Sequence, residues 1–215
     1  MIIVLGRPAL APPALTSAPP APPTLDAAAP ILQDDDGLDG LAALVAVAAS
    51  AAGGAVQLAG SIGDDREGNE AVIRLGRAGV GHAALLRDPT GRTPVTGQER
   101  EPAPRLDAED VELGLRYLAE IRVLILAEPL EKEAQAAALE AARYHGAHVI
   151  ALVPPGSVAD PALADAGTVL ETPSEGAASF VAVVARYAAG LEAGRSAAEA
   201  FQEATAAAGW ERTEA

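Results

Sequence analysis

The stretch Arg122-Val123-Leu124-Ile125-Leu126-Ala127 limits the possible folds of this chain more than any other. Five consecutive apolar residues after Arg122 leave a strand with no solvent face, so it must be covered on both sides. His148–Val153 repeats the pattern and is closed by Pro154-Pro155-Gly156. Met1 to Gly6 is a shorter apolar run ended by glycine, and Thr168-Val169-Leu170 is another short strand. Helical segments separate these runs. Strands alternating with helices specify βαβ units, a mostly parallel sheet and helices on both of its faces. The chain is accordingly predicted to be a single α/β domain over residues 1–215, a three-layer α/β/α sandwich.

The helices carry start and stop signals. Leu41 to Ala52 predicts a helix buried on most faces and ended by Gly53-Gly54. Ala55 to Ala59 predicts a strand, and Gly60-Ser61-Ile62-Gly63-Asp64-Asp65 a turn. Asp65 then caps a helix running to Ala78, with Val72, Leu75 and Ala78 on one face and Gly79 as its stop. Leu106, Asp107, Asp110 and Val111 fit a cap with a reciprocal acid and a hydrophobic staple, after which Val111, Leu115 and Leu118 line one face. Glu131 to Tyr144 predicts a helix ended by Gly146. Two helices finish the chain, the second with Ser196 and Glu199 as a capping box and Gly209 as its stop. Two segments are predicted to be irregular. Residues 7–36 scatter prolines among alanines, which reads as a covering loop, and residues 87–105 read as a polar loop or reduced lid. Asp34-Asp35-Asp36 reads as a solvated acidic run and Trp210 as an anchor for the C-terminus.

Charge and composition exclude several functions. A net charge of −15 repels phosphates, which argues against nucleic acid and anionic membranes as partners. There is no cysteine, hence no disulfide and no thiolate metal site, and no signal-peptide pattern opens the chain; the expected location is the cytoplasm. Residues 41–60 carry no formal charge, but the run is mostly alanine and glycine and is preceded by aspartates, so it reads as a buried helix and strand rather than a membrane span. The only lysine, Lys132, sits in Glu131-Lys132-Glu133 without a glycine-rich loop, which excludes a Walker-type nucleotide site. His145 and His148 lack a third ligand, so no metal site is predicted; His145 reads as a cation at a helix C-terminus. Asp64 and Asp65 read as turn and cap residues rather than paired catalytic acids.

Two patches share an order of residues with a known family. The first is Val56-Gln57-Leu58-Ala59-Gly60-Ser61-Ile62-Gly63-Asp64-Asp65-Arg66-Glu67-Gly68, followed by Leu75-Gly76-Arg77-Ala78-Gly79-Val80, Thr93-Pro94 and Thr96-Gly97. The second is Ser174-Glu175-Gly176-Ala177-Ala178-Ser179-Phe180, followed by Gly190-Leu191-Glu192-Ala193-Gly194-Arg195-Ser196-Ala197-Ala198-Glu199-Ala200. Together they resemble the PfkB/ribokinase family of carbohydrate kinases. The resemblance implies a ribokinase-like sandwich with reduced lid and nucleotide-site segments. It also implies a phosphotransferase site in which glycines at a helix start cradle phosphate beside a catalytic Asp.

The family's functional positions carry altered residues. Aligned on Phe180, the catalytic Asp position holds Ala178, and the two glycines flanking it in the family motif fall on Glu175 and Ala177. Gly176, Ala177 and Ser179 are the remnant of the anion hole. The sugar-gripping positions fall on Ala11, on Gly40, which is retained as a substrate-binding candidate, and on Leu44 in place of an Asn. The family's Asn-x-x-Glu segment, used around magnesium and phosphate, has no counterpart between Leu170 and Glu175. Ser174 as cap and Glu175 as an internal anion are expected to satisfy the helix start. The resemblance therefore implies a protein that has lost sugar-kinase activity and acts as a binding or regulatory scaffold, with no cofactor, through an unknown protein partner or as a homodimer. One alternative is an active carbohydrate or nucleoside kinase with a minimal site, using ATP and Mg. Another is a sugar or other small-molecule binder without catalysis.

Overall fold

The computed structural model describes residues 1–12 and 37–209; Asp34-Asp35-Asp36, Trp210 and most of the proline-rich 7–36 segment lie outside the described residues. Along the chain come β1 (Ile2–Leu5), β2 (Ala9–Leu10), β3 (Leu38–Asp39), α1 (Gly40–Ala51), β4 (Val56–Gly63), α2 (Arg66–Arg77), β5 (Gly81–Asp88) and α3 (Ala108–Arg116). They are followed by β6 (Val123–Leu126), α4 (Lys132–His145), β7 (His148–Val153), α5 (Pro161–Ala166), β8 (Gly167–Glu171), α6 (Ala177–Glu192) and α7 (Ala197–Ala207). Six strands form one sheet in the order β5-β4-β1-β6-β7-β8, and β2 and β3 form a separate pair. Every neighbouring pair in the large sheet is parallel, while β2 and β3 are antiparallel.

The continuous apolar runs occupy the middle because only they tolerate burial on both faces. Ile2 and Val4 of β1 enter one core with Val123 and Ile125 of β6, under α1, α2, α6 and α7. Ile3 and Leu5 enter the other core with Leu124 and Leu126, under α3 and α4. The period-two alternation of a strand thus splits each run between two helix layers. The predicted α/β/α sandwich is the observed architecture.

Most caps follow their sequence signals. Asp65 caps α2 by accepting from the Gly68 amide at 2.8 Å. The Asp107–Asp110 and Ser196–Glu199 boxes are both formed. Gly146 ends α4 in a left-handed conformation. On α2 the buried face is Gly68, Ala71 and Leu75, so Val72 and Ala78 stand at its margin rather than in its centre.

Two readings are corrected, and one helix is added. Residues 60–63 continue β4 instead of turning, because their glycines serve close packing rather than a bend. A Cβ on Gly60, at φ +144, would lie 2.1 Å from the Gly6 carbonyl oxygen of the adjacent strand end. Residues 81–88 form the edge strand β5, extending into the segment read as loop. At the edge β5 is largely half-exposed, which removes the apolar run that marks the central strands. The helix α5 was also not anticipated; Pro161 at its first position and the Asp160 side chain, accepting from the Ala162 amide, start it.

Gly60→Ala is expected to destabilise the protein by more than about 1 kcal/mol, since the new methyl group meets backbone. Gly76→Ala, in α2 with ordinary helical dihedrals and only the His82 ring within 4 Å, is expected to stabilise by up to about 1 kcal/mol. Urea denaturation of both variants checks the contrast.

Candidate functional site at the strand C-terminal edge

In an open parallel sheet, ligands bind beyond the strand C-termini, where connections leave adjacent strands in opposite directions. Here that point lies between β1 and β6. The chain leaves β1 toward β4 on one side and leaves β6 toward β7 on the other. The residues that emerge there are Arg7 and Glu128. Glu128 Oε1 accepts from both the Arg7 backbone amide and Arg7 Nε, each at 2.9 Å. Arg7 Nη1 also donates to the Pro104 carbonyl at 3.2 Å. Both side chains are about three-quarters buried, so the pair is more than a surface contact. It ties the two strands together across the crevice. A cavity of about 280 Å³ opens beside it, over the ends of β6 and β7, with Glu128, Gln135 and Asp160 on its walls.

The α6 start also reaches this edge. Glu192, at the other end of the helix, pairs with the Met1 ammonium at 3.4 Å and accepts from the Ala55 amide at 3.1 Å, at the N-terminal ends of β1 and β4. The α6 N-terminus therefore lies at the opposite, C-terminal edge of the sheet. Its cap is Gly176 at φ 76, ψ 29, with no side-chain hydrogen bond to the first turn. The expectation that Ser174 and Glu175 fill this position is overturned. The left-handed turn at Gly176 brings the chain into the helix one residue later, and Ser174 and Glu175 remain exposed in the loop. Ala177, Ala178 and Ser179 occupy the exposed first turn, which contains no acid. The link from β8 to α6 spans only Thr172–Gly176.

On the β4 side a denser cluster forms. Asp65 Oδ1 accepts from Thr93 Oγ1 at 2.6 Å as well as from Gly68, while Oδ2 accepts from the Thr93 amide and from Arg100 Nη2, both at 3.0 Å. Arg100 also donates to Glu67 at 2.9 Å. Burial alone would raise the Asp65 pKa, but the Thr93 hydroxyl, the Gly68 and Thr93 amides and Arg100 outweigh it and hold the carboxyl below its ordinary value. This explains the Thr93-Pro94 motif: Thr93 is fully buried and locks the 93–100 segment to the start of α2. Asp39 does the same for α1, accepting from the Gly40 amide at 2.7 Å and from the Thr96 hydroxyl. Leu10 of β2 bridges Val95, with hydrogen bonds to Pro94 and Thr96, so the small sheet sits on this segment. A cavity of about 390 Å³, with Ala11, Arg66, Glu67 and Arg100 among its lining residues, lies between the small sheet and α2.

The sequence candidates are thus dispersed. Gly40 opens α1 at φ 76 with its amide turned to Asp39. Leu44 is a half-buried α1 residue packed against the core. Among the described residues no group of three or more His, Cys, Asp or Glu is placed to hold a metal ion. No helix of the described residues is long and apolar enough to cross a membrane. The Arg7–Glu128 pair was not anticipated. Its partners are 121 residues apart, and only the strand order brings them together.

The fold and this edge define a class, the open α/β/α sandwich with a crevice at its central switch point. No family model and no curated protein matches the sequence. Solved structures do match the fold. Aminoimidazole riboside kinase from Salmonella enterica superposes with a TM-score of 0.63 at 15% identity, over 100% of this chain and 94% of that one. The PfkB protein from Polaromonas sp. JS666 gives 0.60 at 14% identity, over 96% and 94%. A candidate ribokinase II from E. coli, solved with ATP and Mg²⁺, gives 0.61 at 13% identity, over 100% and 93%. The chain has the ribokinase-like fold of the PfkB/ribokinase carbohydrate kinases and is short relative to them.

Because the Asp65 pKa is depressed in the folded state, its contribution to stability is present above the unfolded value of about 3.9 and lost as pH falls through the folded value. Asp65→Asn is expected to cost about 1–3 kcal/mol at neutral pH and to flatten the acid limb of stability against pH. Denaturation midpoints from neutral to acid pH check both effects.

Proposed function

We propose that this is a ribokinase-like protein without sugar-kinase activity, acting in the cytoplasm as a binding or regulatory scaffold through a protein partner or as a homodimer. The observation that carries this reading is the first turn of α6. Phosphoryl transfer requires a base on the attacking hydroxyl and charge stabilisation at the phosphoryl oxygens. Ala178 offers a methyl group where the base belongs, and the turn holds no other acid. Losing a general base costs about 10²–10⁴ in rate. The crevice next to it is bridged by Arg7 and Glu128, whose charges are already engaged with each other. Ala11 and Leu44 at the sugar-gripping positions leave hydroxyls unpaired, at about 1–3 kcal/mol each.

One observation favours a second reading, a protein that still binds a phosphorylated ligand, and in its fullest form a kinase using ATP and Mg²⁺. The α6 start has no side-chain cap, and Gly176 leads into it without a Cβ. First-turn amides free of internal partners suit a phosphate group, so Ala177, Ala178 and Ser179 would contact it through backbone. ATP would supply the transferable phosphoryl group and magnesium its charge neutralisation.

An ADP-release assay with ATP–Mg²⁺ and a panel of sugars and nucleosides separates the readings. The proposal predicts no substrate-dependent turnover by the unaltered protein, and any such turnover overturns it. A thermal shift with ATP in the absence of turnover supports the second reading in its non-catalytic form. Ligand at a hundred times its Kd adds about 2.7 kcal/mol.

A further inference from the structure

Between the C-terminal ends of β4 and β5 and the first turn of α3 lies a cavity of about 300 Å³, lined by Ser61, Leu86, Arg87, Asp88, Arg105 and Asp110 among others. Strand alternation aims Ser61 into it. Leu58 and Ile62 of β4 belong to the opposite core, whereas Ala59 shares the α3 core. Ser61 is 2% exposed, and no hydrogen bond joins its hydroxyl to another described residue. The Ser61 hydroxyl is not among the fully enclosed unpartnered atoms of the described residues, so the little surface it keeps opens on this cavity.

The charged groups around it are unevenly used. Asp88 is taken up by the Thr90 amide and hydroxyl and by the Arg105 amide, and it is held far below the carboxylate range. Arg87 is turned toward Asp64, at 3.6 Å. Asp110 spends Oδ2 on the Asp107 amide as half of the capping box, and its Oδ1 accepts nothing. Arg105 approaches Asp107 and Asp110 through Nε, at 3.3 and 3.6 Å, leaving its terminal nitrogens unbonded. Burial pushes the Asp110 carboxyl above its ordinary value, a direction that a neighbouring ammonium would reverse.

What is left over is one hydroxyl, one carboxylate oxygen and one guanidinium edge. A simple anion would meet Arg105 but also two carboxylates, and a simple cation would meet Asp110 but also Arg105. A molecule carrying both charges satisfies all three groups. We infer that this cavity binds a small α-amino acid, its carboxylate toward Arg105 and Ser61 and its ammonium toward Asp110 Oδ1. The site is separate from the crevice between β1 and β6 and does not depend on whether the protein transfers phosphate.

Calorimetric titration of the intact protein with each standard amino acid, and with acetate and ethylamine as single-charge probes, tests this. The expected result is saturable one-site binding of at least one small amino acid with a Kd of about 1 mM or tighter, and binding about tenfold weaker or less for both single-charge probes. Ser61→Ala and Asp110→Asn are each expected to weaken it by about tenfold. Arg105→Gln, at a side chain 67% exposed, does the same without threatening the fold. No amino-acid binding overturns the inference. So does acetate or ethylamine binding as tightly as the amino acid, or binding that all three variants leave unchanged.

Discussion

A four-residue strand sets the terms for the rest of this molecule. β1 pairs with β4 on one side and β6 on the other, residue for residue from Ile2 to Leu5, and helices cover both of its faces. Nothing polar can be placed along it, since a buried group without a partner costs more than a small domain can spare. Polar chemistry is therefore displaced to the first residues beyond the strand, and Arg7 is the first charged side chain the chain can place there. The same holds for β6, where Glu128 is the first charge after five apolar residues. Parallel register puts the two beside each other. The Arg7–Glu128 pair thus follows from the sheet's construction as much as from any function.

That logic extends along the edge. Arg100 is shared by Asp65 and Glu67, and Asp39 holds both Gly40 and Thr96. These contacts convert loops into braces for α1 and α2. The start of α6 differs: Gly176 delivers the chain into a first turn whose amides have no side-chain cap. That first turn therefore presents backbone donors and carries no acid of its own. The chain shares its fold with the sugar kinases it superposes on, and the first turn of α6 is the feature on which the proposed reading rests.

How much of this was legible in the sequence depended on the range of the interactions. Val123–Leu126 and His148–Val153 announced themselves because burial on both faces leaves only apolar residues. The Asp107–Asp110 and Ser196–Glu199 boxes were legible because their partners lie three residues apart. β5 escaped because an edge strand needs no such purity. The glycines of β4 misled because a glycine that permits close approach looks the same in sequence as one that permits a turn. At α6 the acid next to the helix start suggested a cap, but a left-handed glycine starts the helix one residue later and leaves that acid in the loop. Ser61 read as a turn residue until the strand alternation showed which face it occupies. Long-range pairs such as Arg7 with Glu128 could not be read at all, since they require the strand order.

The central claim is that the crevice between β1 and β6 is held by an internal charge pair rather than left open for a ligand. A double-mutant cycle with Arg7→Met and Glu128→Gln, read as unfolding free energy in urea, tests it most directly. A partly buried, hydrogen-bonded pair predicts a coupling energy of about 1 kcal/mol or more. Additive single effects, with no coupling between the two positions, would contradict it.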